Sequence, residues 1–194
     1  MYADLEKTQE EMKKDIILCG VGGQGILSIA TVIGQAATVA GLNLKQAEVH
    51  GMSQRGGDVQ SSLRLSTEPI WSDLVPLGRA DMIISMEPME ALRYLPYLTP
   101  DGVVVTSSKP FVNIPAYPSE DSLQAELSKV PRLVQLDIEE RARDLGNPKG
   151  ANMVLLGAAA PYIGILSPEQ LRDAVKVVFA SKGYDVVEAN LRCL

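Results

Sequence analysis

Two glycine-rich segments contain the residue types of this chain best suited to binding a ligand or a partner. The first is GVGGQG at residues 20–25, and the second is EVHGMSQRGG at residues 48–57. Glycines let backbone N–H groups approach an anionic group closely, arginine holds a carboxylate or phosphate through two hydrogen bonds, and histidine titrates near neutral pH. The candidate site residues are Gly20, Gly22, Gly23, Gln24, Gly25, Glu48, His50, Gly51, Gln54, Arg55, Gly56 and Gly57.

The first segment has the pattern of a turn between a strand and a helix. It follows the apolar run 15–19 and precedes a long apolar stretch without proline. The glycines either serve only a tight turn with close packing, or contact a phosphate or a partner at the helix N-terminus, or bind NAD or FAD. The dinucleotide interpretation needs an acidic residue after the second strand. Glu48 lies about 28 residues after Gly20, whereas the usual spacing is ~20.

The second segment combines a histidine and an arginine with three glycines. His50 is a candidate acid or base, and Arg55 is a candidate anion contact. No aspartate or cysteine lies at a defined spacing from His50, so the sequence does not predict a nucleophilic triad. The simpler alternative is that His50 caps a strand while Arg55 pairs with Glu48 or Asp58.

Three other features are weaker candidates. Glu87 and Glu90 fit the acidic first turn of a helix. The segment 147–152 is a turn before an apolar helix, in which Lys149 and Asn152 either contact a ligand or cap the helix. Trp71, the sole tryptophan, either anchors a contact between subunits or is buried in its own domain.

Composition excludes several classes of protein. The chain has 194 residues, 46% of them hydrophobic and 22% charged, with a net charge of −6. That charge and the lack of a basic stripe argue against nucleic-acid binding. No apolar run reaches the ~18 residues of a membrane span, and residues 1–14 lack the apolar core of a signal peptide. We therefore expect a cytoplasmic protein with no membrane partner.

The cysteine and histidine counts limit redox and metal chemistry. Two cysteines, Cys19 and Cys193, and one histidine are too few for an iron–sulfur cluster or a zinc site. We therefore expect a buried, reduced thiol at Cys19 and no metal site on this chain.

The hydrophobic pattern predicts one three-layer α/β domain with a mostly parallel sheet and one edge or antiparallel strand. The alternation over 58–65 predicts a half-exposed strand, and Pro100–Gly102 predicts a turn. Residues 1–14 are predicted to form a charged helix or arm, and residues 15–194 the domain. Strands are expected at 15–20, 42–49, 58–65, 81–86, 103–106 and 132–136, and helices at 24–40, 88–97, 119–129, 138–145, 151–163 and 168–181.

Three segments together resemble one family. GVGGQG at 20–25, EVHGMSQRGG at 48–57 and NPKGANMVLLGA at 147–158 are similar to the gamma subunit, or gamma domain, of 2-oxoacid:ferredoxin oxidoreductases. The resemblance covers the chain after about residue 14 and is strongest to members that act on indolepyruvate.

The resemblance implies an activity and a set of partners. Such enzymes decarboxylate a 2-oxoacid with coenzyme A to give an acyl-CoA, and they reduce ferredoxin. Thiamine diphosphate, magnesium and iron–sulfur clusters are then expected in a larger partner subunit, with none bound by this chain alone. The two glycine segments would face that subunit, and the chain alone would be inactive, with a homodimer as one alternative. The other reading of the residues is a stand-alone NAD- or FAD-binding protein.

Overall fold

A computed structural model describes residues 12–50 and 56–194, with the side chain of His50 left out. Its strands are β1 (Lys13–Val21), β2 (Asn43–His50), β3 (Asp58–Ser66), β4 (Ala80–Ser85), β5 (Leu98–Ser107) and β6 (Leu133–Leu136). Its helices are α1 (Ile26–Val39), α2 (Pro88–Arg93), α3 (Glu120–Leu127), α4 (Ile138–Asp144), α5 (Ala151–Ile163), α6 (Pro168–Phe179) and α7 (Tyr184–Cys193). Short 3-10 turns occur at Leu95–Tyr97 and Ala180–Lys182.

The strands form one sheet in the order β2-β3-β1-β4-β5-β6. The β1–β4, β4–β5 and β5–β6 pairs are parallel, whereas β3 is antiparallel to both β1 and β2. Apolar residues of α1, α4, α5 and α6 cover one face of the sheet, and α2 covers part of the other. The predicted three-layer α/β domain with a mostly parallel sheet is therefore confirmed.

The prediction for β3 was right about its direction and wrong about its exposure. β3 lies inside the sheet, because β2 pairs along its outer side. Its polar residues Gln60, Ser61 and Ser62 are buried. The segment 67–79 returns over this strand, and the backbone N–H of Val75 donates to Ser62 Oγ over 3.5 Å. Long-range packing therefore buries a strand whose sequence has the alternation of a half-exposed one.

Three other features differ from the sequence prediction. Pro100–Gly102 is not a separate turn but lies within β5, where the pairing shifts register between Ala80↔Leu98 and Met82↔Val103. The strand β1 begins at Lys13, inside the predicted arm 1–14, and residues 1–11 lie outside the described part. The helix α7 was missed, because it follows Gly183 with no side-chain cap. Its available signals are Asp185 in the first turn and Arg192 in the last.

The helices α3 and α6 begin with side-chain caps. Ser119 caps α3 by accepting a hydrogen bond from the N–H of Ser122. Ser167 and Gln170 form a reciprocal capping box at the start of α6. No helix among the described residues is both long enough and apolar enough to cross a membrane.

Candidate functional site

The glycine turn joins the end of β1 to the start of α1. Gly23 has φ of 103° and Gly25, the N-cap of α1, has φ of 86°. These are left-handed conformations that glycine adopts without steric cost. The α1 N-terminus has no side-chain cap and no acidic residue in its first turn. First-turn N–H groups lack acceptors within their own helix and carry partial positive charge, so this turn suits an anionic group.

Gln24 braces the turn from inside. Its Oε1 accepts a hydrogen bond from the N–H of Val21 at 2.8 Å, and its Nε2 donates to the carbonyl of Met86 at 3.5 Å. A Cβ on Gly20 would lie 2.9 Å from Gln24 Oε1 and 3.1 Å from the Cβ of Met86. Gly20 is therefore needed for close packing, and the Gln24 amide holds the shape of the turn.

The structure brings the end of the second glycine segment against this turn. The N–H of Gly22 donates to the carbonyl of Gly57 at 2.8 Å, and the N–H of Gly56 donates to the carbonyl of Gly22 at 3.5 Å. The two segments are thus in direct backbone contact. Gly51, Gln54 and Arg55 lie outside the described residues, and His50 is described only as the last residue of β2.

Glu48 does not lie where a dinucleotide-binding site needs its acidic residue. It lies exposed on β2, and its Oε1 accepts a hydrogen bond from Gln46 Nε2 at 2.6 Å. Because β3 intervenes between β2 and β1, Glu48 is two strand spacings, about 10 Å, from the strand that carries the glycine turn. In the dinucleotide fold the acidic residue ends the strand next to the first. The strand order therefore argues against a ribose contact by Glu48.

A third element, the start of α5, contacts the glycine turn through Asn152. Its Nδ2 donates to the carbonyl of Gly25 at 3.2 Å, and its Oδ1 accepts from the N–H of Met153 at 3.0 Å. Asn152 therefore links the start of α5 to the glycine turn, whereas the predicted side-chain cap is absent, because the N-cap residue of α5 is Gly150. Lys149 lines a neighbouring cleft of about 450 Å³, together with Lys182 and Asp185.

A fourth element, the loop 108–118, was not predicted to take part. Asn113 Nδ2 donates to the carbonyl of Gly56 at 2.8 Å, and so ties this loop to the second glycine segment. A lone asparagine among three prolines gives no sequence signal for a contact 57 residues away. The contact depends on the tertiary fold alone.

The loop 108–118 is itself held by Glu87. The Glu87 side chain is fully buried and caps α2, with Oε2 accepting from the N–H of Glu90 at 2.9 Å. Its Oε1 accepts from the N–H of Phe111 at 3.2 Å and from the Tyr117 hydroxyl. The prediction that Glu87 serves the start of a helix is confirmed. The sequence analysis did not predict that Glu87 also holds the loop 108–118 beside the glycine segments.

Titratable groups beneath the site are not arranged for nucleophilic chemistry. Burial raises the pKa of the Cys19 thiol well above its usual range, so the nucleophilic thiolate is suppressed. Burial also raises the pKa of Glu90, against the opposing effect of the paired Arg93 guanidinium. The Tyr117 pKa is raised by burial and by its hydrogen bond to Glu87. Within residues 12–50 and 56–194, no three acidic, histidine or cysteine side chains cluster as metal ligands.

Replacing Gly25 with alanine is expected to cost about 2–3 kcal/mol of the free energy of unfolding. The positive φ contributes about 1–2 kcal/mol, and the added Cβ would lie 2.7 Å from Asn152 Nδ2. The measurement is urea denaturation. The matched control is Gly41→Ala, at the other end of α1, where φ is +73° and a Cβ meets nothing within 4 Å. Equal losses in the two variants would show that the Asn152 contact does not constrain the turn.

The sequence of this chain matches a known family model over residues 15–194, the model of pyruvate ferredoxin/flavodoxin oxidoreductase. The chain belongs to this family. The indolepyruvate oxidoreductase subunit IorB of Thermococcus kodakarensis is 38% identical over 181 residues, or 89% of each chain. The family resemblance inferred from the three glycine-containing segments is thereby confirmed, and the chain is a subunit of the 2-oxoacid:ferredoxin oxidoreductase family.

Solved structures of the family share the fold. The gamma subunit of a keto/oxoacid ferredoxin oxidoreductase from Geobacter sulfurreducens has a TM-score of 0.65 and 24% identity, and the match covers 93% of both chains. A 2-oxoglutarate:ferredoxin oxidoreductase from Magnetococcus marinus has a TM-score of 0.71 and 20% identity. That match covers 93% of this chain but 29% of the other, so the same fold there forms part of a longer polypeptide.

Proposed function

We propose that this chain is the cluster-free small subunit of a thiamine-dependent oxidoreductase that acts on indolepyruvate or another aryl pyruvate. The observation that supports this assignment best is the 38% identity, over 89% of each chain, to an indolepyruvate oxidoreductase subunit. The assembled enzyme would decarboxylate the 2-oxoacid to an acyl-CoA and reduce ferredoxin. The larger subunit would hold thiamine diphosphate, magnesium and the iron–sulfur clusters. We place the complex in the cytoplasm.

The residues of this chain do not fit a cluster of their own. An iron–sulfur cluster usually takes four cysteine ligands, and the chain has two cysteines. Both are buried, with Cys19 Sγ directed at the carbonyl of Glu90 and Cys193 packed against Gly150. Electron transfer would therefore take place through the partner subunit, and the part of this chain is to bind and to orient.

We assign the binding of a ligand or of the partner to the two glycine segments, which are in direct backbone contact. Three features lie together at the edge of the sheet where β1 ends. They are the uncapped N-terminus of α1, the left-handed Gly23 and Gly25, and the backbone contact of Gly22 with Gly57. We propose that this edge faces the larger subunit, with His50, Gln54 and Arg55 completing the surface. There the turn amides and the Arg55 guanidinium would bind an anionic group of a ligand or of the partner. No proton-transfer step is assigned to these residues.

The assignment is tested by a tagged, anaerobic purification from the native cells. We expect a larger subunit to co-purify, with the broad absorption of iron–sulfur clusters and dye reduction that depends on an added 2-oxoacid. A panel of oxoacids then identifies the substrate. A colourless protein that elutes alone and gains thermal stability from NAD or FAD would contradict the proposal and favour a stand-alone nucleotide-binding protein.

Replacing Arg55 with alanine is expected to lower kcat/KM of the assembled enzyme, or its assembly constant, by about tenfold or more. A hydrogen bond to a charged group contributes about 1.5–3 kcal/mol, and one factor of ten corresponds to 1.4 kcal/mol. The measurement is steady-state kinetics together with binding of the larger subunit. Arg141→Ala, on the exposed side of α4, is the matched control. Unchanged turnover and assembly in the Arg55 variant would remove Arg55 from the proposed surface.

A further inference from the structure

The segment 68–79, between β3 and β4, exposes three large apolar side chains to solvent. Trp71 is 93% exposed, Leu77 66% and Leu74 57%, whereas the intervening Val75 is buried at 3%. Single exposed apolar residues are ordinary on protein surfaces. Three exposed apolar side chains within seven residues, one of them the only tryptophan of the chain, are typical of a protein interface and not of a solvated loop.

The backbone of this segment is pinned in place. Arg64 Nη1 donates to the carbonyls of Ser72 at 3.0 Å and Leu74 at 3.2 Å. The N–H of Gly78 donates to the carbonyl of Pro96 at 2.9 Å, and Lys45 pairs with Asp73 at 3.4 Å. Because the backbone is ordered before any partner arrives, little conformational entropy would be lost when Trp71 is buried.

The segment is separate from the glycine turn. Arg64, which holds it, lies opposite Asp15 in the β1–β3 register, whereas the glycine turn begins after Val21 at the other end of β1. Val21 lies six residues after Asp15 along β1, which corresponds to about 20 Å. A partner on this segment would therefore form a second area of contact, distinct from the one proposed at the turn.

We propose that Trp71, Leu74 and Leu77 form a docking surface for the larger subunit of the enzyme. The inference rests on the proposed function, because it takes the partner from there. In the Magnetococcus marinus protein the same fold makes up 29% of a longer chain, so there a covalent connection keeps the domain beside its neighbours. A separate chain needs non-covalent area instead, about 800 Å² on each partner in a standard interface. Buried aromatic anchors usually contribute most of the binding energy of such an area.

The experiment below distinguishes the larger subunit from two other candidate occupants of this surface. One is a second copy of this chain. The other is the chain's own residues 1–11, because the N–H of Met12 donates to Thr67 Oγ1, four residues before Trp71. The sole tryptophan allows a direct test, since the chain labelled with 5-fluorotryptophan gives a single ¹⁹F resonance from position 71.

We expect that resonance to shift when the unlabelled larger subunit is added, and Trp71→Ala to weaken the binding of that subunit by about 30-fold. The control is Tyr184→Ala, at a residue that is 76% exposed at the start of α7 and should leave binding unchanged. Circular dichroism and a thermal melt confirm that both variants fold.

Each contrary outcome has one meaning. If the complex forms with wild-type affinity in the Trp71 variant, the docking surface is wrong and the proposed function stands. If the wild-type chain binds no larger subunit, the proposed function fails and the docking surface fails with it. A resonance that moves only with the concentration of the chain itself would identify a second copy as the occupant. A resonance that moves on deletion of residues 1–11 would identify the N-terminal arm, and either result would overturn the inference.

Discussion

Replacing Glu87 with alanine is expected to destabilise the protein by about 3–5 kcal/mol. The substitution removes a fully buried carboxylate that accepts hydrogen bonds from three donors. The N–H groups of Glu90 and Phe111 and the hydroxyl of Tyr117 would each lose their acceptor. The α2 cap and the attachment of the loop 108–118 would be lost together. The measurement is guanidinium denaturation followed by circular dichroism.

The control for the cap alone is Ser119→Ala at the start of α3. Ser119 Oγ accepts from the N–H of Ser122 at 3.3 Å, as Glu87 does from Glu90, but it is exposed. Its loss should cost about 1 kcal/mol. The excess in the Glu87 variant then measures the loop attachment. If the two variants lose the same stability, Glu87 acts as a cap and nothing more.

The attachment of the loop has a consequence for the proposed site. Asn113 in this loop donates to the carbonyl of Gly56, and Gly57 accepts from Gly22 in the glycine turn. Glu87 is thus connected to the turn through backbone and side-chain contacts, without facing it. We expect the Tyr117→Phe variant, which removes one donor only, to lose about 1 kcal/mol and keep the loop in place.

The second large effect is expected at Arg64. Its Nε and Nη2 donate to the two carboxylate oxygens of the fully buried Asp15 at 2.8 and 3.1 Å. Arg64→Ala leaves that buried carboxylate with Lys13 as its remaining ion pair, at 2.7 Å. Removing one partner of a buried pair costs about 3–5 kcal/mol when the other charge is left uncompensated, so we expect about 3 kcal/mol here, where Lys13 still pairs with Asp15. Denaturation in urea gives the loss, and the fluorescence anisotropy of Trp71 reports whether the segment 68–79 is released.

Two variants make the Arg64 result interpretable. The double variant Asp15→Asn with Arg64→Ala should recover part of the loss, because it removes the buried charge that Arg64→Ala leaves with only the partly exposed Lys13 as its partner. Arg132→Ala, which removes a guanidinium bonded to the carbonyl of Asp101 at the surface, should cost less than 1 kcal/mol. A loss of that size in Arg64→Ala as well would show that the Asp15 pair does not hold β1 and β3 together.

The glycine turn shows how far sequence reasoning reaches when the determinants are local. An apolar run, closely spaced glycines and a proline-free apolar stretch predict a strand, a turn and a helix, and those elements are found. The caps Ser119 and Ser167 were predictable for the same reason. In each case the residues that determine the structure lie within a few positions of the element they determine.

The contacts around that turn could not be predicted in the same way. Asn152 meets Gly25 across 127 residues, and Asn113 meets Gly56 across 57. A single asparagine carries no periodic signal, so only the packing of α5 and of the loop 108–118 identifies these partners. The distance of Glu48 from the glycine turn likewise depends on the strand order, in which β3 lies between β2 and β1.

The sequence by itself determined the α/β class, the positions of most elements, the glycine turn and membership of the family. Each follows from patterns that are short in sequence, namely hydrophobic periodicity, caps and glycine spacing. Only the tertiary structure decided the burial of β3, the role of Glu87 in the loop 108–118 and the exposure of Trp71. These depend on which distant segment covers which surface, because burial is fixed by the packing of the whole chain and not by the neighbours of a residue in sequence.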